Sequence, residues 1–409
     1  MKARHPIVVG LDIGTTKVCA IVGEITDGDL NVLGVGTHAS KGLRKGVVIN
    51  IETTVQSIKR AIEEAEMMSG CHISSVYAGI SGGHIKSFNS HGMIAIGGQE
   101  VTAKDVERVM EAASAVAIPQ DREILHVLPF EYIVDDQRGV KDPVGMSGVR
   151  LEVNCHIITG ATTSAANIIK CCHQVGLHVD DVVFEPLASA YAILSEDERE
   201  LGAAVIDIGG GTSDIAVFRD GALVHSAVLA LGGGHITNDI AHGLRVPATP
   251  TAESLKKKFG CAMAADVNPD ETVELGDSFG REPRWVARQI LCEIIEQRAD
   301  EILRLIHAEL EDAGYLDVTG TGLVLTGGCA LLPDIDRLAE KIFNAPVRVV
   351  LPQNLVGHIE QVDDPTFAAA VGLTLFGRED MRLNQARQGK TSGAQRVIEK
   401  MKTVIKDFF

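Results

Sequence analysis

A strand–turn–strand pattern occurs twice in this chain. Residues 8–22 read VVGLDIGTTKVCAIV and residues 204–218 read AVIDIGGGTSDIAVF. Each is an apolar run, then Asp-Ile-Gly, then a turn rich in Gly and Thr, then a second apolar run. Two β-rich runs joined by so short a turn predict a hairpin. A chance repeat of three residues is common, but repetition of the whole unit predicts two related lobes facing each other. Helical patterns lie between the strands. Apolar residues recur at three- and four-residue spacing over 51–68, which stops at Gly70, and over 163–175, which stops at Gly176. Strands alternating with such helices define an α/β chain.

The 409 residues are enough for two to four packing units at about 100–200 residues each. The patterns divide them into a first-lobe core (1–82, 163–200 and 363–377) and a second-lobe core (201–237 and 313–362). A small α+β subdomain at 83–162 interrupts the first lobe, with strands at 93–96, 124–134 and 150–159, a helix at 103–117 and a turn-rich piece at 135–148. A second insertion, 238–312, holds a polar loop at 266–280 and a long helix at 283–312, with Pro283 in its first turn and Gly314 past its end. Residues 378–394 read as a flexible polar linker and 395–409 as an amphipathic helix.

Charge and composition exclude several classes. With 38 Lys+Arg against 55 Asp+Glu, the net charge of −17 repels phosphate backbones, so nucleic acid is not an expected partner. No uninterrupted apolar run of about 18 residues predicts a membrane span. The start, MKARHPIVVGLDIG, passes directly into a strand pattern without the apolar core of a signal peptide, which predicts a cytoplasmic chain. Eight cysteines without a C-x-x-C pair are expected to be buried thiols. The 14 histidines show no metal-ligand spacing.

The Gly/Thr turns carry the chemistry. Successive Gly and Thr residues let backbone N–H groups converge on an anion, and threonine hydroxyls add donors. Gly14, Thr15 and Thr16 on one turn and Gly209, Gly210, Gly211 and Thr212 on the other can clasp a di- or triphosphate. Lys17 adds a cation. Asp12 and Asp207, where strands enter the turns, are placed to hold water on a phosphate-bound Mg²⁺. Two further strand–Gly–helix junctions, LGGGHITNDI at 231–240 and LVLTGGCALLPDI at 323–335, permit close backbone approach to a base or ribose.

These segments, with VFEPLASAYAIL (183–194) and TFAAAVGLTLFG (366–377), resemble the phosphate, connecting-helix and adenosine motifs of the actin/Hsp70/hexokinase superfamily, in its order, across residues 8–377. Within it the chain looks most like the FtsA family of bacterial cell-division actin homologues: FEPLASAYAILSEDERELGAAVIDIGGGTSDIAV is very similar to that family's central stretch. The resemblance implies an actin-like two-lobed ATPase fold and the ligands ATP and Mg²⁺. Thr15, Thr16, Lys17 and Gly209 to Thr212 would contact phosphates, and Asp12 and Asp207 would organise Mg²⁺. Glu185 would orient a hydrolytic water. Glu253 and Lys256, with Lys257 as a neighbour, would grip the adenosine, and Gly233, Gly234, Gly327 and Gly328 would line base and ribose. ATP would govern shape and assembly, with slow or no hydrolysis.

As partners the resemblance implies a second copy of the chain, the FtsZ filament and later division proteins, at the inner face of the cell membrane at the division site. The acidic C-terminal peptide of FtsZ would bind the second insertion, where Arg281, Arg284, Arg288 and Arg298 cluster. Two readings stay open beside it. A pilus-assembly adaptor shares the core motifs, and a sugar-kinase-like phosphotransferase would add an acceptor pocket and a catalytic Asp, neither of which is identified.

The final fifteen residues, QRVIEKMKTVIKDFF, place Val397, Ile398, Met401, Val404, Ile405, Phe408 and Phe409 on one stripe of a helix. Arg396, Lys400, Lys402 and Lys406 outnumber Glu399 and Asp407, so the segment is positive on an acidic protein. Such a helix is suited to lie in an anionic membrane surface.

Overall fold

A computed structural model describes residues 6–26, 29–276, 284–318, 322–353 and 355–387. Arg281, Pro283 and the apolar stripe of 397–409 lie outside the described residues.

Two sheets repeat one plan. In the first, Ile7–Ile13 pairs antiparallel with Lys17–Thr26 and parallel with Ser75–Ile80. In the second, Ala203–Ile208 pairs antiparallel with Ser213–Arg219 and parallel with Leu323–Thr326. Both central strands are buried on both faces, which is why their sequences are continuous apolar runs rather than alternating ones. His178–Phe184, Asp29–Ala39 and Val356–Gly357 complete a six-stranded first sheet; Ala222–Leu229 and Val347–Val349 complete a five-stranded second. The architecture is a mixed α/β, actin-like pair of lobes.

Local signals set the helices. Ile51–Ser69 starts at Asn50, whose Oδ1 accepts from the Thr53 N–H, and ends at Gly70 in the left-handed region at φ 65°. Its buried Ile58, Ala61, Ile62 and Ala65 form the stripe that the spacing predicted. Helix Glu185–Ile193 and the closing helix Ala368–Arg387 cross behind the site at backbone contact. A Cβ on Gly372 would sit 1.8 Å from the Ala188 carbonyl oxygen. Gly372→Ala is therefore expected to destabilise the fold by about 3 kcal/mol or more, read as a lower urea midpoint. An unchanged midpoint would show that the crossing is looser than this.

The first insertion is a four-stranded sheet, in spatial order Lys86–Ala95, Arg150–Ala161, Arg122–Val134 and Gln137–Val140. Helix Ala103–Ser114 covers it over a core of Val109, Met110, Ala113, Leu151, Val153 and Ile157. The sheet also touches the second lobe. Ser87 Oγ donates to the Ser226 carbonyl (2.6 Å), and buried His156 bonds Asn89 Oδ1 (2.7 Å) and Ser226 Oγ (2.9 Å). Burial pushes the His156 imidazole down to about 3, so the joint is made by a neutral ring.

Four predicted boundaries shift. The strand expected at 93–96 is ten residues long and begins at Lys86, because its polar first half is held by tertiary contacts. The helix expected to reach 117 ends at Ser114, with Pro119 ahead. In the second insertion the long helix starts at Arg288, since the β-formers Trp285–Ala287 pair instead with Thr272–Glu274 from the predicted polar loop. The closing helix continues ten residues past Gly377, into the stretch read as linker. Tyr77 Oη donates to Asp380 Oδ2 (2.8 Å), Met381 packs on the core, and good helix formers do the rest. Among the described residues no helix is long and apolar enough to cross a membrane.

Candidate functional site

The two glycine turns meet face to face. A Cβ on Gly210 would lie 2.3 Å from Thr16 Cγ2, and one on Gly211 would lie 2.5 Å from Thr15 Oγ1, so only glycine lets the lobes approach this closely. Behind them is a cavity of about 570 Å³. Its wall includes every residue nominated above for phosphate, metal, water or adenosine contact. The first turn contributes Asp12, Gly14, Thr15, Thr16 and Lys17; the second contributes Asp207, Gly209, Gly210, Gly211 and Thr212. Glu185 enters from the first connecting helix. Gly233, Gly234, Glu253, Lys256, Lys257, Gly327 and Gly328 line the opposite end.

Proximity and availability differ among them. The Gly233 and Gly234 N–H groups already donate to the carbonyls of Gly209 (2.9 Å) and Gly210 (2.8 Å), so they brace the second turn rather than offer donors. Lys17 Nζ donates to Thr366 O (2.8 Å) and Oγ1 (3.0 Å) and lies 3.7 Å from the Phe367 ring centroid. An arriving phosphate would compete with these partners. Glu253 and Lys256 share one helix face, as their spacing requires. Lys256 Nζ reaches Glu253 Oε2 (2.8 Å), Thr237 Oγ1 (2.9 Å) and the Gly233 carbonyl (3.1 Å), while Lys257 Nζ is 3.4 Å from Glu253 Oε1.

Four carboxyls, Asp12 and Asp214 buried and Asp207 and Glu185 half-buried, crowd the phosphate end. Burial, opposed by Lys17 and reinforced by Asp207, raises Asp12 to about 7. Burial raises Asp207 to about 6 against a hydrogen bond from Ser189 and the pull of Lys17. Burial and the Asp207 charge raise Asp214 to about 8, and burial with the neighbouring aspartates raises Glu185 well above the usual carboxylate range. A set of acids held partly protonated for want of counter-charge suits a divalent cation. Among the described residues no group of three or more His, Cys, Asp or Glu side chains could hold a metal ion directly. Water and phosphate oxygens would complete the shell of a hydrated Mg²⁺.

Asp214 was not foreseen, yet a signal for it existed. In the hairpin register Asp207 stands directly opposite Asp214, whereas in the first hairpin Asp12 faces Cys19. Ser81 Oγ, from the first lobe, donates to Asp214 Oδ1 (2.6 Å) across the cleft. Ser81, Gly46, Cys329 and Thr366 also line the cavity; Cys329 and Thr366 lie within quoted motifs, whereas no local pattern points to Ser81 or Gly46.

Among the described residues, Arg284, Arg288 and Arg298 of the second insertion are each engaged by other groups. Arg288 pairs with Glu271 (2.6 Å) and donates to the Phe259 carbonyl (2.8 Å). Arg298 pairs with Asp239 (2.5 Å) and with Glu301. Arg284 donates to the Leu244 carbonyl (2.7 Å). Their acidic partners lie on other elements or one turn away, so a scan for clustered arginine could not see them.

Comparison with known proteins adds a lineage to this geometry. A family model described as "Cell division protein FtsA" matches residues 204–372, and one described as "SHS2 domain inserted in FTSA" matches residues 82–159. The cell division protein FtsA of Pseudomonas aeruginosa is 50% identical over 372 residues, covering 91% of this chain and 89% of that one. Among solved structures, a chain of a PilM-PilN type IV pilus biogenesis complex superposes with a TM-score of 0.67 at 17% identity, over 91% of this chain and 98% of that one. MreB5 of Spiroplasma citri, bound to ADP, superposes with a TM-score of 0.57 at 16% identity, over 93% and 98%. At those identities the likeness is one of fold.

Proposed function

The chain belongs to the FtsA family of cell division proteins, and on that premise we propose that its cleft binds ATP with Mg²⁺ and uses nucleotide occupancy to control assembly. The pilus-adaptor and sugar-kinase alternatives fall with that membership. One observation carries the reading: motifs from Asp12 to Gly328 converge on one cavity, with hydroxyls and glycine backbone at one end and a Glu-x-x-Lys pair at the other. Thr15, Thr16, Thr212 and the turn amides would hold the phosphates, and Glu253 with Lys256 would hold the ribose. Mg²⁺, when bound, would supply the charge that ionises Asp12, Asp207 and Asp214. Desolvation and the charges of Asp12, Asp214 and Asp207 hold the Glu185 carboxyl well above the usual carboxylate range, a direction that weakens it as a water-orienting base and accords with slow or no hydrolysis.

The wider role follows from the family. The protein would self-assemble, tie FtsZ filaments to the cytoplasmic membrane through residues 395–409, and recruit later division proteins. The FtsZ peptide would dock on the 238–312 insertion. Arg288 and Arg298 could meet it only by exchanging their present partners. Calorimetric titration with MgATP tests the core of the proposal. Lys17→Ala is expected to weaken binding about tenfold or more, since one charge-assisted phosphate contact is lost. No binding to the unaltered chain at millimolar MgATP would overturn the reading.

A further inference from the structure

In the first connecting helix, Glu185–Ile193, the stretch from Pro186 to Ala190 is entirely buried, and Ser189 carries the only hydroxyl in it. Glu185 and Ser189 stand four residues apart, so they share one face of the helix. Glu185 lines the cavity. Ser189 is not among the residues of that wall, but its Oγ donates to Asp207 Oδ2 (3.0 Å), which is. A serine inside a helix can satisfy its hydroxyl on the carbonyl one turn back. This one reaches out of the helix to the second-lobe strand instead. Alanine would suit the helix better, so the hydroxyl serves the aspartate and not the helix.

The other oxygen of the same carboxyl is confined as well. A Cβ on Gly327 would lie 2.2 Å from Asp207 Oδ1, so bare backbone closes that side. The two aspartates of the duplicated hairpins therefore differ. Among the described residues no group donates a hydrogen bond to the carboxyl of Asp12, the counterpart of Asp207 in the first hairpin. We propose that Ser189 is a positioning residue for the cation: it holds the Asp207 carboxyl in a fixed orientation, ready to accept from the water shell of a nucleotide-bound Mg²⁺, and touches neither nucleotide nor cation itself. This rests on the reading of the cleft as a nucleotide site. A carboxylate already held has less freedom to lose when the cation arrives, and hydrogen bonds made to such a group from behind tune metal affinity. Asp12, without a donor, is left to adjust to the cation that Asp207 receives.

The test compares ATP affinity in Mg²⁺ and in EDTA, by calorimetry on the full chain, for the unaltered protein, Ser189→Ala, Asp207→Ala and the double variant. Alanine is smaller than serine and favours the helix, so Ser189→Ala keeps the fold, and the EDTA arm reads any general damage to the cleft. The expected result in Ser189→Ala is a roughly tenfold reduction of the affinity gained from Mg²⁺, with less than about a twofold change in EDTA. In the double variant Ser189→Ala is expected to add nothing to the loss from Asp207→Ala, since both act through one carboxyl. An equal loss with and without Mg²⁺ overturns this inference and gives Ser189 a structural role only. An unchanged gain from Mg²⁺ overturns it too, and so does a further loss in the double variant. An unaltered chain that binds no ATP under either condition overturns both the inference and the reading beneath it.

Discussion

Asp214→Asn is expected to stabilise the nucleotide-free protein by a few kcal/mol at pH 8, to leave it nearly unchanged at pH 4, and to weaken MgATP binding. The sign follows from linkage. Burial and the Asp207 charge raise Asp214 to about 8 in the folded chain, from an ordinary value of 3.8. A raised pKa means that the folded state binds more protons than the unfolded state between those values. Its contribution is fully favourable below about pH 4 and is lost as pH rises towards 8. Asp12, at about 7, and Asp207, at about 6, act in the same direction. The nucleotide-free wild type should therefore lose stability steadily from about pH 4 to 8. Asparagine keeps an acceptor for the Ser81 hydroxyl and has no charge to desolvate. The same change removes a carboxylate from a set suited to a hydrated cation, so stability and affinity move in opposite directions. Urea unfolding at several pH values, with and without MgATP, reads both. A variant that is less stable than the wild type at pH 8 would mean that Asp214 is ionised and paired in the free protein.

The duplicated hairpins were legible because they are locally determined. Asp-Ile-Gly followed by Gly and Thr specifies a strand end and a tight turn from residues adjacent in sequence. The convergence of Gly14, Gly209 and Gly327 was legible only through the order of motifs, since no local rule brings Thr16 against Gly210. What escaped depends on contacts between distant residues. Lys17 finds Thr366 across 349 positions. The strand from Lys86 carries Ser, Asn and His on positions that an apolar scan rejects, and Ser87 and Asn89 are satisfied by the edge strand of the second lobe. The extension of the closing helix to Arg387 looked like linker because GREDMRLNQAR is polar. That composition describes an exposed helix as well as a coil, and Tyr77 with Asp380 decides between them. Asp214 lay within reach of a register argument: pairing the hairpin strands puts it opposite Asp207.

A chain ending at Gly393 is expected to stay in the supernatant when sedimented with anionic vesicles, while the full chain pellets, more strongly with MgATP. The removed segment carries seven apolar residues on one helical stripe and a local charge of four cations against two anions. Seven half-buried groups at about 1 kcal/mol each, with a little under about 1 kcal/mol per net charge, give a gross gain of roughly 8–9 kcal/mol. The conformational entropy lost when the segment orders into a helix on the surface opposes this gain. One copy should thus bind weakly and let go readily. Assembled copies present many such segments at once, and the second and later contacts form at high effective concentration. On the proposed reading membrane residence would report assembly, and nucleotide would act on it through the body of the protein. The closing helix begins directly after Thr366 and Phe367, which hold Lys17 at the cavity, and is described as far as Arg387. Equal pelleting of the two chains would place the membrane contact on the body. Binding by the full chain that ignores MgATP would uncouple anchoring from the cleft.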